Sequence, residues 1–195
     1  DASVTLRGTL DHAVLGVEEV HDASVVLSGT RAAHQVTLRG THALVDLAEL
    51  ALEGAWMESN EWVGSVRALQ ATALPEADHP IPIQTTRPAE IEISRRRQAV
   101  DGLCIDAADL LSSCFSVAAT DSQELDIDGQ FALDSLQRIP GLPDTWQVGG
   151  AVSGEVDLQG TLERINGIAK ISLDGLRIAR VSDDPLSEET QQIDV

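Results

Sequence analysis

The sequence has 195 residues, and its 32 acidic and 13 basic side chains give a formal net charge of −19. This acidic excess argues against binding to nucleic acid or to an anionic membrane surface, because both require clustered Lys and Arg. The aromatic residues, three Trp and two Phe, are too few for a base-stacking platform. The apolar runs are far shorter than the roughly 20 residues of a membrane-spanning helix.

A short motif recurs along the chain. The hexapeptide VTLRGT at residues 4–9 is repeated letter for letter at residues 36–41, and the relaxed pattern aliphatic-x-aliphatic-x-Gly occurs seven times. Its apolar positions are Val4, Leu6, Val25, Leu27, Val36, Leu38, Leu50, Leu52, Leu125, Ile127, Val156, Leu158, Ile171 and Leu173. Alternation with period two predicts strands with one aliphatic and one polar face. The glycine after each copy permits the strand to turn or bend.

The spacing between these glycines is irregular, which argues against a solenoid and favours a long antiparallel meander. Leu44, Leu47 and Leu50 break the alternation, so we predict a β-bulge near residues 46–48. The spacing of Ala132, Leu133, Leu136 and Ile139 before Pro140 predicts one short helix. We assign residues 1–181 to a single β-sheet segment and residues 182–195 to an acidic tail or connection.

A sheet with one aliphatic face must bury that face. A second sheet would give a ligand-free structural β-sandwich, and too little helix is indicated to cover the sheet. The third solution is a sheet that curls about its own apolar face. We therefore predict an all-β fold, a curled and mostly antiparallel sheet that forms an open hydrophobic trough. Its Val, Leu and Ile lining, without Phe or Trp, favours hydrocarbon chains as ligands.

Catalytic motifs are missing from the sequence. It contains no G-x-S-x-G motif and no phosphate-binding glycine loop. The five histidines, His12, His21, His34, His42 and His79, lack the usual metal-ligand spacings. We therefore expect no enzyme activity, no catalytic residue, no metal site and no cofactor.

Two cysteines lie ten residues apart. Cys104 and Cys114 fit neither a C-x-x-C redox motif nor a zinc site with four ligands. They are either two unrelated buried thiols or a disulfide across a hairpin, and a disulfide requires an oxidising compartment. Trp56 and Trp62 flank another short polar stretch, and a hairpin there would place them near each other on one face.

An ordered set of motifs resembles the TamB family of AsmA-like translocation and assembly module proteins. The set begins with G-x-W…W-x-G at residues 54–64 and continues with Leu69, Arg87-Pro88-Ala89, Leu103-Cys104 and Cys114-Phe115. It continues with FALDSL at residues 131–136, Pro140 and GEVDLQG at residues 154–160. His34 also matches a position where the family often has a histidine. The resemblance covers roughly residues 25–175.

The resemblance implies a periplasmic protein of a Gram-negative bacterium, anchored in the inner membrane and built as a long curled β-sheet with a hydrophobic groove. It implies a partnership of the full-length protein with TamA in the outer membrane, and roles in phospholipid transport and protein secretion. The present chain would be an interior slice whose membrane contacts lie in parts absent here. A periplasmic location favours the disulfide, and a hairpin turn centred near Asp109 would set Cys104 opposite Cys114.

Three functional hypotheses follow. The first is a segment that conducts phospholipid acyl chains between the two membranes for outer-membrane biogenesis. The second is a chaperone or scaffold segment that presents strand edges to outer-membrane proteins during their assembly with TamA. The third is the β-sandwich without a ligand.

Overall fold

The computed structural model describes residues 2–15, 18–108, 110–134, 136, 145–161, 163–180 and 190–192. They form thirteen strands in one antiparallel sheet. The strands are β1 (Val4–Leu15), β2 (Glu18–Gly29), β3 (His34–His42), β4 (Val45–Trp56), β5 (Trp62–Ala73), β6 (Ile81–Thr85), β7 (Ala89–Ile93), β8 (Arg97–Ala107), β9 (Leu111–Thr120), β10 (Glu124–Leu133), β11 (Trp146–Thr161), β12 (Arg164–Arg180) and β13 (Thr190–Gln192). The described residues include no helix long and apolar enough to cross a membrane.

The strands follow one another across the sheet in chain order, with one exception. β6 and β7 share a single position between β5 and β8. One end of β5, residues 70–73, pairs with β6, and the other end, residues 62–66, pairs with β7. This arrangement confirms the predicted antiparallel meander.

The sheet curls so that the centre of its apolar face is shielded by the sheet itself. Every described strand belongs to this one sheet, yet Ala89 is only 1% exposed and Val66 only 5% exposed. A flat single layer would leave both side chains in water. The burial therefore comes from curvature, and the predicted fold class, an all-β curled sheet that forms an open trough, is confirmed.

The predicted bulge lies in β4. The pairing of β3 with β4 shifts between Leu38 and Gly40, and the pairing of β4 with β5 shifts between Leu47 and Glu49. Ala48 is thus the extra residue on the β5 side. The shift lets Leu47 and Leu50 lie on one face of the sheet although three positions separate them.

The predicted helix is wrong at its first two positions. Ala132 and Leu133 belong to β10, where Leu133 pairs with Leu111 on one side and Val152 on the other. The alternation of Phe131 and Leu133 continues the strand, and two neighbouring strands satisfy its backbone groups. Of the other two predicted helical positions, Leu136 is among the described residues but both of its chain neighbours are not, and Ile139 lies outside the described residues.

Two other expectations change in detail. Most glycines of the repeated motif do not end their strands: Gly8 and Gly129, for example, lie within β1 and β10, and only Gly29 is the last residue of its strand. The predicted acidic tail contributes β13, which pairs with residues 177–179 of β12. The rest of the tail lies outside the described residues.

A disulfide joins Cys104 of β8 to Cys114 of β9, as predicted. The two residues are direct cross-strand partners, and their Cα atoms are 4.0 Å apart. Ala107 pairs with Leu111, which centres the turn on residue 109, although Asp109 itself lies outside the described residues. The bond fixes the register of this hairpin.

Removing this bond should lower the free energy of unfolding by about 2 to 3 kcal/mol, because the bond constrains only a short loop of the unfolded chain. The test compares urea denaturation of the wild type with that of the Cys104→Ser/Cys114→Ser double variant. Intact mass after alkylation without reductant should show no labelled thiol. Two labelled thiols on the folded protein would contradict the assignment.

Candidate functional site

The candidate site is the apolar face of the sheet, and two rows of cross-strand partners define it. Direct partners in an antiparallel sheet project on the same face. The first row is Leu6, Leu27, Val36, Leu52, Val66 and Ala89, and the second row is Ile91, Val100, Val117, Ile127 and Leu158. Gly64 pairs with Ile91 and lies two residues before Val66, so both rows lie on one face. Together they form a continuous aliphatic floor from β1 to β11.

The structure places all the predicted lining residues on this face. Leu125 and Val156 neighbour the second row on β10 and β11, and Val25, Leu38 and Leu50 neighbour the first row. The lining residues from β2 to β11 are partly buried. Those on β1 and β12 are exposed: Val4, Leu6, Ile171 and Leu173, with exposures of up to 68% at Ile171. The floor is therefore most enclosed at its centre and open at both ends.

The middle of the floor was missed in the sequence. Val66, Ile91, Val100 and Val117 carry it from β5 to β9. The segment AEIEI at residues 89–93 alternates apolar and polar residues without a closing glycine, and none of the four residues lies in a complete copy of the glycine motif. The period-two signal alone, without the glycine, would have identified them.

The expectation of a lining without aromatic residues is wrong. Trp62 lies on the apolar face and is only 8% exposed. Its indole ring covers Gly54 and Gly64, where a Cβ atom would overlap the ring. Phe131 covers Gly154 of the neighbouring strand in the same way. The glycines create space on the face, and the aromatic rings fill it, so the floor contains aromatic as well as aliphatic side chains.

Trp62 also holds a buried histidine. Its Nε1–H group donates a hydrogen bond of 2.7 Å to Nε2 of His34, which is 7% exposed. Because Nε2 accepts, the ring proton is on Nδ1, which donates to the backbone oxygen of Thr30 at 3.1 Å. Both ring nitrogens are thus satisfied in the neutral form. This His34–Trp62 pair joins β3 to β5 across β4.

The predicted pairing of Trp56 with Trp62 is confirmed, since the two residues are direct cross-strand partners. They differ in environment, because Trp56 is exposed whereas Trp62 is buried. The hairpin therefore places one indole inside the curl and the other at its rim.

The opposite face of the sheet carries the charge. Arg39 approaches Glu49 at 3.5 Å, and Arg67 approaches Glu53 at 3.1 Å. A depression of about 830 Å³ opens mainly on this face and is lined in part by Glu53, Glu90, Glu92, Arg97 and Asp101. A twisted sheet can be concave on both faces along different diagonals. The depression is too charged to take a hydrocarbon chain, so the apolar face is the stronger candidate for a hydrophobic ligand.

Comparisons with protein-family models, curated proteins and solved structures found no match to this chain.

The His34–Trp62 pair should matter for stability. In Trp62→Phe, Nε2 of the buried imidazole loses its donor, and we expect a loss of about 1 to 3 kcal/mol in the free energy of unfolding. The matched control is Trp56→Phe, at the exposed partner position, with an expected change within about 0.5 kcal/mol. Urea denaturation followed by circular dichroism measures both. Equal, small effects would show that the hydrogen bond contributes little.

Proposed function

We propose that this chain binds phospholipid acyl chains along its apolar face and forms part of a route for lipids between the inner and outer membranes. The observation that carries the proposal is the continuous pair of aliphatic rows from β1 to β11 on a face that no second layer of described residues covers. Such a face offers no hydrogen bonds along its rows. Hydrocarbon is the chemistry that it complements.

The transport step needs no catalytic residue. Moving an acyl chain through water costs about 0.8 kcal/mol for each exposed methylene group. A floor of Val, Leu and Ile side chains replaces that water at every position along the acyl chain. The groove would lower the barrier by solvation alone, with the headgroup remaining in solvent at the open side of the curl.

The open ends of the floor support movement along it. Leu6 at one end is 60% exposed, and Ile171 on β12, next to the other end, is 68% exposed. A closed pocket would bury such residues, whereas a conduit must allow entry and exit. The partly buried centre of the floor would hold the acyl chain between these two ends.

The motif resemblance to the TamB family adds a second line of support. Four matched residues that are separated in the sequence, His34, Gly54, Trp62 and Gly64, meet in one site, where the indole covers both glycines and bonds the imidazole. On this proposal the chain is a periplasmic segment of an inner-membrane-anchored protein that works with TamA.

Photo-crosslinking tests the lipid proposal. A benzophenone amino acid is placed at Leu38 or Ile127 on the apolar face, and at the adjacent residues Thr37 or Asp128 on the polar face. Phospholipid crosslinks should form from the first pair and not from the second. Equal crosslinking from both faces would contradict a groove, and crosslinks to outer-membrane protein strands instead of lipid would favour the chaperone hypothesis.

Leu158→Asp should reduce the phospholipid that copurifies with the protein. The substitution places a carboxylate in the aliphatic row, where an unpaired charge costs several kcal/mol when acyl chains cover it. Mass spectrometry of organic extracts measures the bound lipid.

The matched control is Gln159→Asp, which adds the same charge one residue away on the polar face and should retain wild-type lipid levels. Circular dichroism checks that both variants are folded. Undiminished lipid in a folded Leu158→Asp variant would exclude a continuous groove through β11.

A further inference from the structure

The β1–β2 hairpin brings together two histidines and a glutamate. His12 and His21 are direct cross-strand partners, and their rings stack with centroids 4.8 Å apart and an interplanar angle of 20°. Oε2 of Glu19 lies 3.6 Å from Nε2 of His12 and 3.5 Å from Nε2 of His21. The three side chains are exposed, so water and ions can reach them.

We propose that His12, Glu19 and His21 form a binding site for a late first-row divalent metal ion, represented by Zn²⁺. Two imidazoles and one carboxylate are a donor set that zinc uses in open sites with three protein ligands. Mg²⁺ and Ca²⁺ prefer oxygen ligands alone, so the two ring nitrogens select against them. A water molecule would complete the coordination.

The spacing of the donor atoms suits such an ion. With metal–ligand bonds of roughly 2.0 to 2.2 Å, neighbouring ligands in a tetrahedral site lie about 3.4 Å apart. Both histidine–glutamate distances are already near this value. The donor atoms of all three residues lie within 4.8 Å of one another. Rotation of the exposed imidazoles would bring them onto a common ion without moving the backbone.

Local charge favours a cation at this hairpin. The sequence has no Lys or Arg between Arg7 and Arg31, whereas Asp11, Glu18 and Asp22 flank the three proposed ligands. No basic side chain of this segment can therefore compete for Glu19. The net charge of −19 raises the cation concentration near the surface further.

No spacing in the sequence indicates this site, because His12 and His21 are not close in the chain. Their proximity depends on the hairpin register, which sets His12 directly opposite His21. The expectation of no metal site rested on spacings within one helix or one loop. Here the three ligands instead come from a cross-strand pair, His12 and His21, and from Glu19, two residues before His21 on the same strand.

Isothermal titration of Zn²⁺ into untagged protein tests the proposal. The wild type should bind one ion per chain with saturation. His21→Ala and Glu19→Gln should each weaken binding by at least roughly 10-fold, because each removes one of three ligands. The matched control is His79→Ala, an exposed histidine outside the cluster, and it should leave the affinity unchanged. Ca²⁺ should give no saturable binding at the same concentrations.

Titration with Co²⁺ adds a spectroscopic test that reports directly on metal coordination. The d–d absorption of a bound Co²⁺ ion should appear with the wild type and be lost in His12→Ala. Circular dichroism should show the same folded spectrum for every variant. Absence of saturable Zn²⁺ binding would overturn the proposal. It would also fail if the cluster variants kept the wild-type affinity, or if His79→Ala weakened binding as much as they do.

Discussion

The structure depends on one constraint: the described residues form a single-layer sheet, and no second layer of them covers its aliphatic face. Away from the edges of the sheet, the backbone groups are satisfied by the ladder between neighbouring strands. The main unfavourable contact that remains is that of Val, Leu and Ile side chains with water. Curvature reduces that contact because side chains of distant strands shield one another. Ala89 and Val66, which are 1% and 5% exposed, lie near the middle of the strand order. The same curvature leaves the face accessible, which a sandwich would not.

Within the curl, a large side chain on one strand packs over glycines on its own and the neighbouring strand. Gly54 and Gly64 have no side chain, and the indole of Trp62 occupies the space above them. His34 then fits beside the ring as a neutral partner with both nitrogens bonded. A polar group is thereby held inside an apolar face without an unsatisfied donor or acceptor. The arrangement also ties three consecutive strands together at one level of the sheet.

Local patterns predicted much of this fold, and long-range register explains what they missed. Alternation at Val36 and Leu38 identified strand and face because the period-two rule needs only neighbouring residues. The ten-residue spacing of Cys104 and Cys114 fitted a symmetric hairpin. In contrast, Leu133 and Leu136 fit a helix as well as a strand end, and only the partners on both sides of β10 decide between them. The contact of His34 with Trp62 joins residues 28 positions apart, which no local pattern encodes.

The outer edge of β1 has a consequence for contacts between copies of the chain. Among the described strands, β1 has β2 as its only neighbour, so the backbone groups along its other side have no strand partner. β1 also carries the exposed side chains Val4, Leu6 and Leu10. Such an edge can pair with the edge of another molecule and start aggregation. Repulsion between chains that each carry a net charge of −19 opposes this encounter. Because salt screens that repulsion over about 10 Å at 0.1 M ionic strength, colloidal stability of the isolated chain should decline as ionic strength rises.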